Sequence, residues 1–228
     1  MKRKTILSIV MSLCAFACVA EEPTVRVWTG AGGDGLASTA ENWLPSGKPA
    51  SGEAIVLDAR GNGYPLRWDA AMKGVSPAGW TQDGYTESVT FETVYDSEGF
   101  DKVTIDGDVI LMSGSWTHLG NSQSALYRLF VEIAGKMTIG ADAVITADGL
   151  GYSNPKVIGG EQGVLKYRSE GGSHGGRAGS TDAANGNTGS IEPYGCCYAP
   201  ETLGCGGNWV SGINGGGAVR LVVGGALT

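Results

Sequence analysis

Short stretches in which apolar and polar residues alternate recur through the middle of the chain. The alternation is present at residues 89–91 and 103–106, and over a longer stretch at 129–145. A period of two residues is typical of β-strands that bury one face and expose the other. The pattern therefore predicts a series of short strands between residues 86 and 150.

A second pattern joins these strands. The unit apolar-x-Gly-x-apolar occurs at residues 105–109, 133–137 and 223–227. The spacing between the first two copies lies in the range of solenoid coils. The third copy follows only after a long glycine-rich zone.

This recurrence favours an all-β fold, a right-handed parallel β-helix. In such a fold each strand pairs with the equivalent strand one coil later, and small residues turn the corners between faces. An antiparallel β-sandwich is the alternative, because Asp106-Gly107 also suits a hairpin turn. The solenoid-like spacing makes the β-helix the preferred prediction.

Glycine content divides the chain further. The sequence includes 39 Gly, and half of them follow residue 158. We therefore predict an N-terminal Trp/Gly-rich β cap region at 21–85, coils at 86–150 and a long glycine-rich loop excursion at 151–217. Residues 218–228 would begin a further coil. Because the chain stops inside a strand–Gly–strand unit, we expect an N-terminal fragment of a longer protein.

The first residues predict export. A basic start at 1–4 precedes an uncharged apolar run that extends from Thr5 to Ala20. This is the pattern of a secretory signal peptide at 1–20, and it is shorter than the roughly 20 residues that span a membrane. We expect an extracellular, cell-surface or outer-membrane-associated protein with no transmembrane span in its mature part.

Charge and cysteine content narrow the classes of partner and site. The net charge of −7 argues against nucleic acid as a partner. Outside the signal the cysteines are Cys196, Cys197 and Cys205. In an oxidising compartment they allow one disulfide, from Cys205 to Cys196 or Cys197, and they are too few for a closed zinc site.

One loop suggests a metal ion. Residues 30–36, between Trp28 and Trp43, partly match the calcium-binding nonapeptide of β-roll proteins, with Asp34 as the ligand. That motif works in tandem copies, and this chain has one imperfect copy. Calcium at Asp34 is therefore a hypothesis, and no other cofactor is expected. The two tryptophans are predicted to form a small cluster that holds the loop.

Catalytic chemistry has weak support. The candidate carboxylates are Asp101, Asp106 and Asp108, near Lys102 or Arg128. A glycine between the second and third carboxylates indicates a corner, where acidic residues face solvent.

The histidines add no stronger signal. His118 and His174 are far apart in the sequence, and no G-x-S-x-G nucleophile motif is present. We interpret His174 as a loop residue that hydrogen-bonds to backbone. The sequence therefore favours a protein without enzymatic activity.

Several segments resemble a known group of proteins. Residues 148–152, 171–176 and 215–221 are similar to the glycine-rich segment of large secreted bacterial β-helix surface proteins. The opening Trp28 and Asn42-Trp43 look like the start of autotransporter-like repeat proteins. The resemblance implies an adhesin-like or surface-structural module, with surface glycans or host and matrix surfaces as partners. The alternative is a carbohydrate-active β-helix of the polysaccharide lyase or glycoside hydrolase type.

Overall fold

The computed structural model describes residues 23–95, 100–122, 124–153, 202–204 and 214–228. These ranges contain short β-strands and three single-turn 3-10 helices, and no α-helix. The strands are β1 (Val25–Trp28), β2 (Trp43–Leu44), β3 (Ala54–Leu57), β4 (Leu66–Trp68), β5 (Gly79–Gln82), β6 (Ser88–Phe91), β7 (Val103–Ile105), β8 (Val109–His118), β9 (Leu129–Ile133), β10 (Met137–Ile145) and β11 (Val219–Val223). The 3-10 turns are Ala40–Asn42, Ala59–Gly61 and Ala70–Met72.

The strands stack in parallel, each on the equivalent strand of the neighbouring coil. One face runs β1, β3, β5, β8, β10, and a second runs β4, β6, β8, β10. A third face consists of β7, β9 and β11. The result is an all-β solenoid of about four turns. The predicted parallel β-helix is confirmed, and the antiparallel sandwich is wrong because every strand pair except β1 with β2 is parallel and joins neighbouring coils.

Two strands each serve two faces. The first half of β8 pairs with β5, and its second half pairs with β6. Gly114 lies between the halves with φ +74°. A side chain is disfavoured there, because this left-handed backbone conformation suits glycine. The pairing of β10 with β8 shifts its register between Ile139 and Asp142, next to the same bend.

Inward rows of stacked side chains build the core. In the first face Ile55, Trp80, Val109 and Met137 occupy the same register on successive coils, and each is at most 1% exposed. The alternation that predicts strands is thus the alternation between this core and solvent.

A second inward row is aromatic. Trp68, Phe91 and His118 share one register, and the first two are fully buried. Their neighbours Trp80 and Trp116 pack edge to face at 5.7 Å between ring centroids. Aromatic rings in this arrangement stabilise a core beyond the area they bury.

A matched pair of variants tests whether the indole N–H groups of this core matter. The Nε1 of Trp80 is buried without a hydrogen-bond partner among the described residues, whereas that of Trp116 donates to Gln82. Trp80→Phe therefore removes volume alone. Trp116→Phe also leaves the Oε1 of Gln82 buried without its donor, which should cost about 1–3 kcal/mol more in urea unfolding. Equal losses would show that the indole–amide hydrogen bond does not stabilise the stack.

The repeated glycine unit forms a corner. The N–H of Gly135 donates to the carbonyl of Gly107 (3.2 Å), and the N–H of Gly225 donates to the carbonyl of Gly135 (2.8 Å). A Cβ on Gly135 would lie 2.7 Å from the carbonyl oxygen of Gly107. Glycine is therefore required here by close backbone approach between coils.

The coils have a similar length until the last one. The inward residues Ile55, Trp80, Val109 and Met137 follow one another at nearly even intervals along the chain. Met137 then bridges to Leu227, which lies far later in the sequence. The sequence from Met137 to its partner on the next coil is therefore much longer than the corresponding step in the earlier coils.

Stacked coils begin before residue 86. β3 and β5, which lie within the region predicted as a cap, already stack under β8. At the end of the solenoid, β2 pairs antiparallel with β1 and covers its outer edge. Trp28 and Trp43 meet edge to face at 5.1 Å, so the predicted tryptophan cluster is present.

Candidate functional site

Asp34 organises the glycine-rich loop after β1. Its Oδ1 accepts hydrogen bonds from Leu36 N (3.0 Å) and Asn42 Nδ2 (2.7 Å), and its Oδ2 accepts one from the Thr39 hydroxyl (2.6 Å). These donors, the Thr39 hydroxyl first, lower the pKa of the carboxyl group. Asn42 is buried and extends the network, because its Oδ1 accepts from Gly32 N at 2.7 Å.

These contacts give Asp34 a structural role in the loop. In the part of the chain that the structure describes, no group of three or more His, Cys, Asp or Glu side chains is placed to hold a metal ion. The calcium site at Asp34 stays a prediction. Calorimetric titration of the purified protein with calcium tests it, and the absence of heat would contradict it.

The candidate carboxylates lie at the glycine corner and before β7. Asp106 and Asp108 flank Gly107 and are exposed, whereas Asp101 precedes β7 and is half-buried. The Oδ1 of Asp108 accepts a hydrogen bond from the N–H of Lys136, one coil later, at 2.8 Å. The corner interpretation of Asp106 and Asp108 therefore agrees with the geometry.

The cationic candidates have other partners. Lys102 forms an ion pair with Glu132 at 2.8 Å. Arg128 packs against aromatic rings, with its guanidinium carbon 5.3 Å from the ring centroid of Tyr95 and 5.1 Å from that of Phe130. The ion pair of Lys102 and the ring contacts of Arg128 therefore involve residues other than the candidate carboxylates.

His118 is a core residue at the end of the aromatic row. It is 1% exposed, and its Nδ1 lies 2.7 Å from the carbonyl oxygen of Leu119. Because a carbonyl only accepts, Nδ1 carries the proton and Nε2 holds the lone pair. Nε2 is buried and has no hydrogen-bond partner among the described residues. Burial lowers the pKa of His118, and the Leu119 hydrogen bond opposes this.

We expect stability to fall when the pH drops below about 6.5, the ordinary pKa of histidine. His118 has a lowered pKa in the folded protein, so the unfolded chain binds its proton first and is favoured as pH falls towards the folded pKa. Urea unfolding at several pH values measures the effect. In His118→Asn the decline between about pH 7.5 and about pH 5.5 should largely vanish. If the free energy of unfolding of His118→Asn fell by the same amount over this pH range, His118 would not be the cause of the pH dependence.

The third face carries an outward cluster of two arginines and an aromatic ring that the sequence pattern does not predict. Phe130 on β9 is 7% exposed although its side chain points away from the core row. It is covered by Arg128 and by Arg220 of β11, whose guanidinium carbon lies 4.7 Å from the ring centroid. We call Arg128, Phe130 and Arg220 the arginine cluster.

The spacing of the glycine units predicts which residues of the third face are neighbours on adjacent coils, and this could have predicted the cluster. The first two units place Lys102 beside Phe130 on adjacent coils, because Val103 and Val131 are register partners. The third unit places Arg220 beside Phe130 on the other side. The pairing follows once β9 and β11 are aligned in register, although a long stretch of sequence separates them.

Some predictions lie outside the described residues. These are the signal peptide at 1–20, most of the loop excursion at 151–217, the cysteines Cys196, Cys197 and Cys205, and His174. Within the ranges that are described, no helix is long and apolar enough to span a membrane.

Comparison with known proteins returns no assignment. The chain matches no protein-family model, and no curated protein or solved structure is significantly similar to it.

Proposed function

We propose that this protein is an exported, non-enzymatic β-solenoid module of the cell surface that binds glycans or matrix surfaces in the manner of an adhesin. The observation that carries the proposal is where the charged residues lie. Among the candidate acid–base residues, Asp108 and His118 have structural tasks, whereas cationic and aromatic side chains collect on one outward face.

The structural tasks are specific. Asp108 bonds to the backbone of the next coil at the corner, and His118 lies in the core with its Nδ1 on a backbone carbonyl. A general acid or base must reach a substrate from a site that substrate can enter. A residue in the core row does not meet that requirement, and an exposed corner offers no enclosed pocket.

The outward face suits binding. Stacked coils hold their outer side chains in fixed rows, and strands place functional groups more firmly than loops do. Lys102, Phe130 and Arg220 form such a row on successive coils. The signal-like N-terminus and the resemblance to bacterial surface proteins support placing this face outside the cell.

The test combines binding and turnover on the same preparation. The purified protein is applied to a glycan array, and the glycans that it binds are then incubated with it in a reducing-sugar release assay. We expect binding without release. Release of sugar that Asp106→Ala abolishes would overturn the proposal in favour of a carbohydrate-active enzyme, and a protein that binds no glycan or matrix component would overturn it as well.

A further inference from the structure

The arginine cluster has a fixed geometry. Arg128 directly precedes β9 and lies two positions before Phe130, which places their Cα atoms about 7 Å apart on the outer side of the strand. Arg220 is the register partner of Phe130 on β11, about 5 Å away across the pair. The guanidinium carbons lie 5.1 Å (Arg128) and 4.7 Å (Arg220) from the ring centroid of Phe130.

Stacking on the ring prepares both guanidinium groups for a ligand. A guanidinium that lies over an aromatic ring uses its face for the cation–π contact and leaves the N–H groups at its edge free to donate. Arg128 is also held by Tyr95 at 5.3 Å. Side chains held in this way lose less conformational entropy when a ligand binds.

Neither arginine forms an ion pair within the described ranges. The ion pairs there join Arg26 to Glu53, Arg60 to Asp58, Arg67 to Glu92 and Lys102 to Glu132. Arg128 and Arg220 take part in none of these, and the Nε of Arg128 is buried without a hydrogen-bond partner among the described residues. Arg128 is half-buried, whereas Arg220 is exposed, and a partly desolvated cation such as Arg128 gains more from an anion than an exposed one does.

The surroundings restrict the size of that anion. The net charge of the chain is −7, and Glu132 lies on the same outer face of β9 as Phe130. Nucleic acid and anionic bilayers need broad basic surfaces. Two guanidinium edges on an acidic protein instead fit one planar carboxylate, which arginine binds through two parallel hydrogen bonds.

We propose that Arg128 and Arg220, stacked on Phe130, bind the carboxylate of an acidic sugar residue within a glycan. The inference deepens the proposed binding function, on which it rests, by naming the ligand class and the site.

The probe is a galacturonate trisaccharide, titrated into the purified protein by calorimetry at low salt. Its methyl ester is the matched control, because it keeps the sugar rings and removes the charges. We expect the acid to bind and the ester to bind with an affinity at least tenfold lower. Added salt should lower the affinity for the acid and leave the affinity for the ester unchanged. A sulfated disaccharide serves as a second anion of different geometry.

Variants test the site. Arg220→Gln should weaken binding roughly tenfold or more, since it removes a charged donor pair. The affinity of Arg220→Lys should lie between that of the unchanged protein and that of Arg220→Gln, because lysine keeps the charge and loses the planar guanidinium. Arg60→Gln, in an exposed ion pair with Asp58, is the control and should leave binding unchanged. Circular dichroism melts of each variant verify that the fold is intact.

The outcomes separate the two proposals. Equal affinity for acid and ester, preference for the sulfated sugar, or unchanged binding by Arg220→Gln and Arg128→Gln overturns the acidic-sugar site. If the array shows only neutral glycans, the binding function stands and this inference fails. If the protein binds no glycan or matrix component, both the proposed binding function and the acidic-sugar site fail.

Discussion

A single methyl group at Gly107 is expected to destabilise the solenoid by about 3 kcal/mol or more. A Cβ there would overlap the carbonyl oxygen of Ala78 and lie 3.1 Å from its carbonyl carbon. These are backbone atoms of the preceding coil, so no side-chain rotation relieves the overlap. The coils must separate locally, which strains the hydrogen bond from Gly135 to Gly107 on the other side.

The experiment compares two Gly→Ala variants by urea unfolding, followed by far-UV circular dichroism. Gly107→Ala should strongly lower the urea concentration at which half of the protein is unfolded. Gly120→Ala is the control, because its Cβ would meet only Leu150 Cδ2 at an ordinary 3.7 Å, and we expect a change within about 0.5 kcal/mol. Equal midpoints for the two variants would contradict the corner mechanism.

The corner also shows what the sequence could predict. The units around Gly107, Gly135 and Gly225 are each contained in a few consecutive residues, so they can be found in the sequence. Their spacing alone indicates solenoid coils. The coil directly before Gly107 lacks the unit at the corresponding corner, which runs through Ala78 and Gly79. Without that signal, the sequence does not mark the stacked strands β3 and β5 inside the predicted cap region at 21–85.

A buried polar residue depends on contacts that no local pattern reveals. Gln82 is fully buried in an inward row, where Leu57 and Leu111 are its register partners. Its Nε2 donates to the carbonyl of Ser113 at 2.8 Å, and its Oε1 accepts from Trp116 Nε1 at 3.0 Å. Both partners come from the next coil, so the amide is satisfied only after the coils stack.

The sequence pattern does not predict the arginine cluster, for a related reason. Arg128 and Phe130 are near neighbours in sequence, but Arg220, which also contacts the ring, lies far later in the chain. The sequence singled out Arg128 as a partner for carboxylates such as Asp106 and Asp108. Those carboxylates lie at the corner, whereas Arg128 precedes β9 on the third face, so residues chosen for their chemistry alone were not brought together.

Replacing Trp80 with Ala should cost about 3–5 kcal/mol. Trp80 is 1% exposed and is the centre of the aromatic core, with ring centroids 5.4 Å from Trp68, 5.7 Å from Trp116 and 5.9 Å from Phe91. Domains of ordinary stability have about 5–15 kcal/mol in total, so the loss is a large share. Urea unfolding of Trp80→Ala measures it, and Leu44→Ala, at a half-exposed apolar position on β2, gives the scale of a surface change. If the two variants lost the same stability, Trp80 would not be the centre of the core, because removal of a buried indole must leave a cavity that removal of an exposed side chain does not.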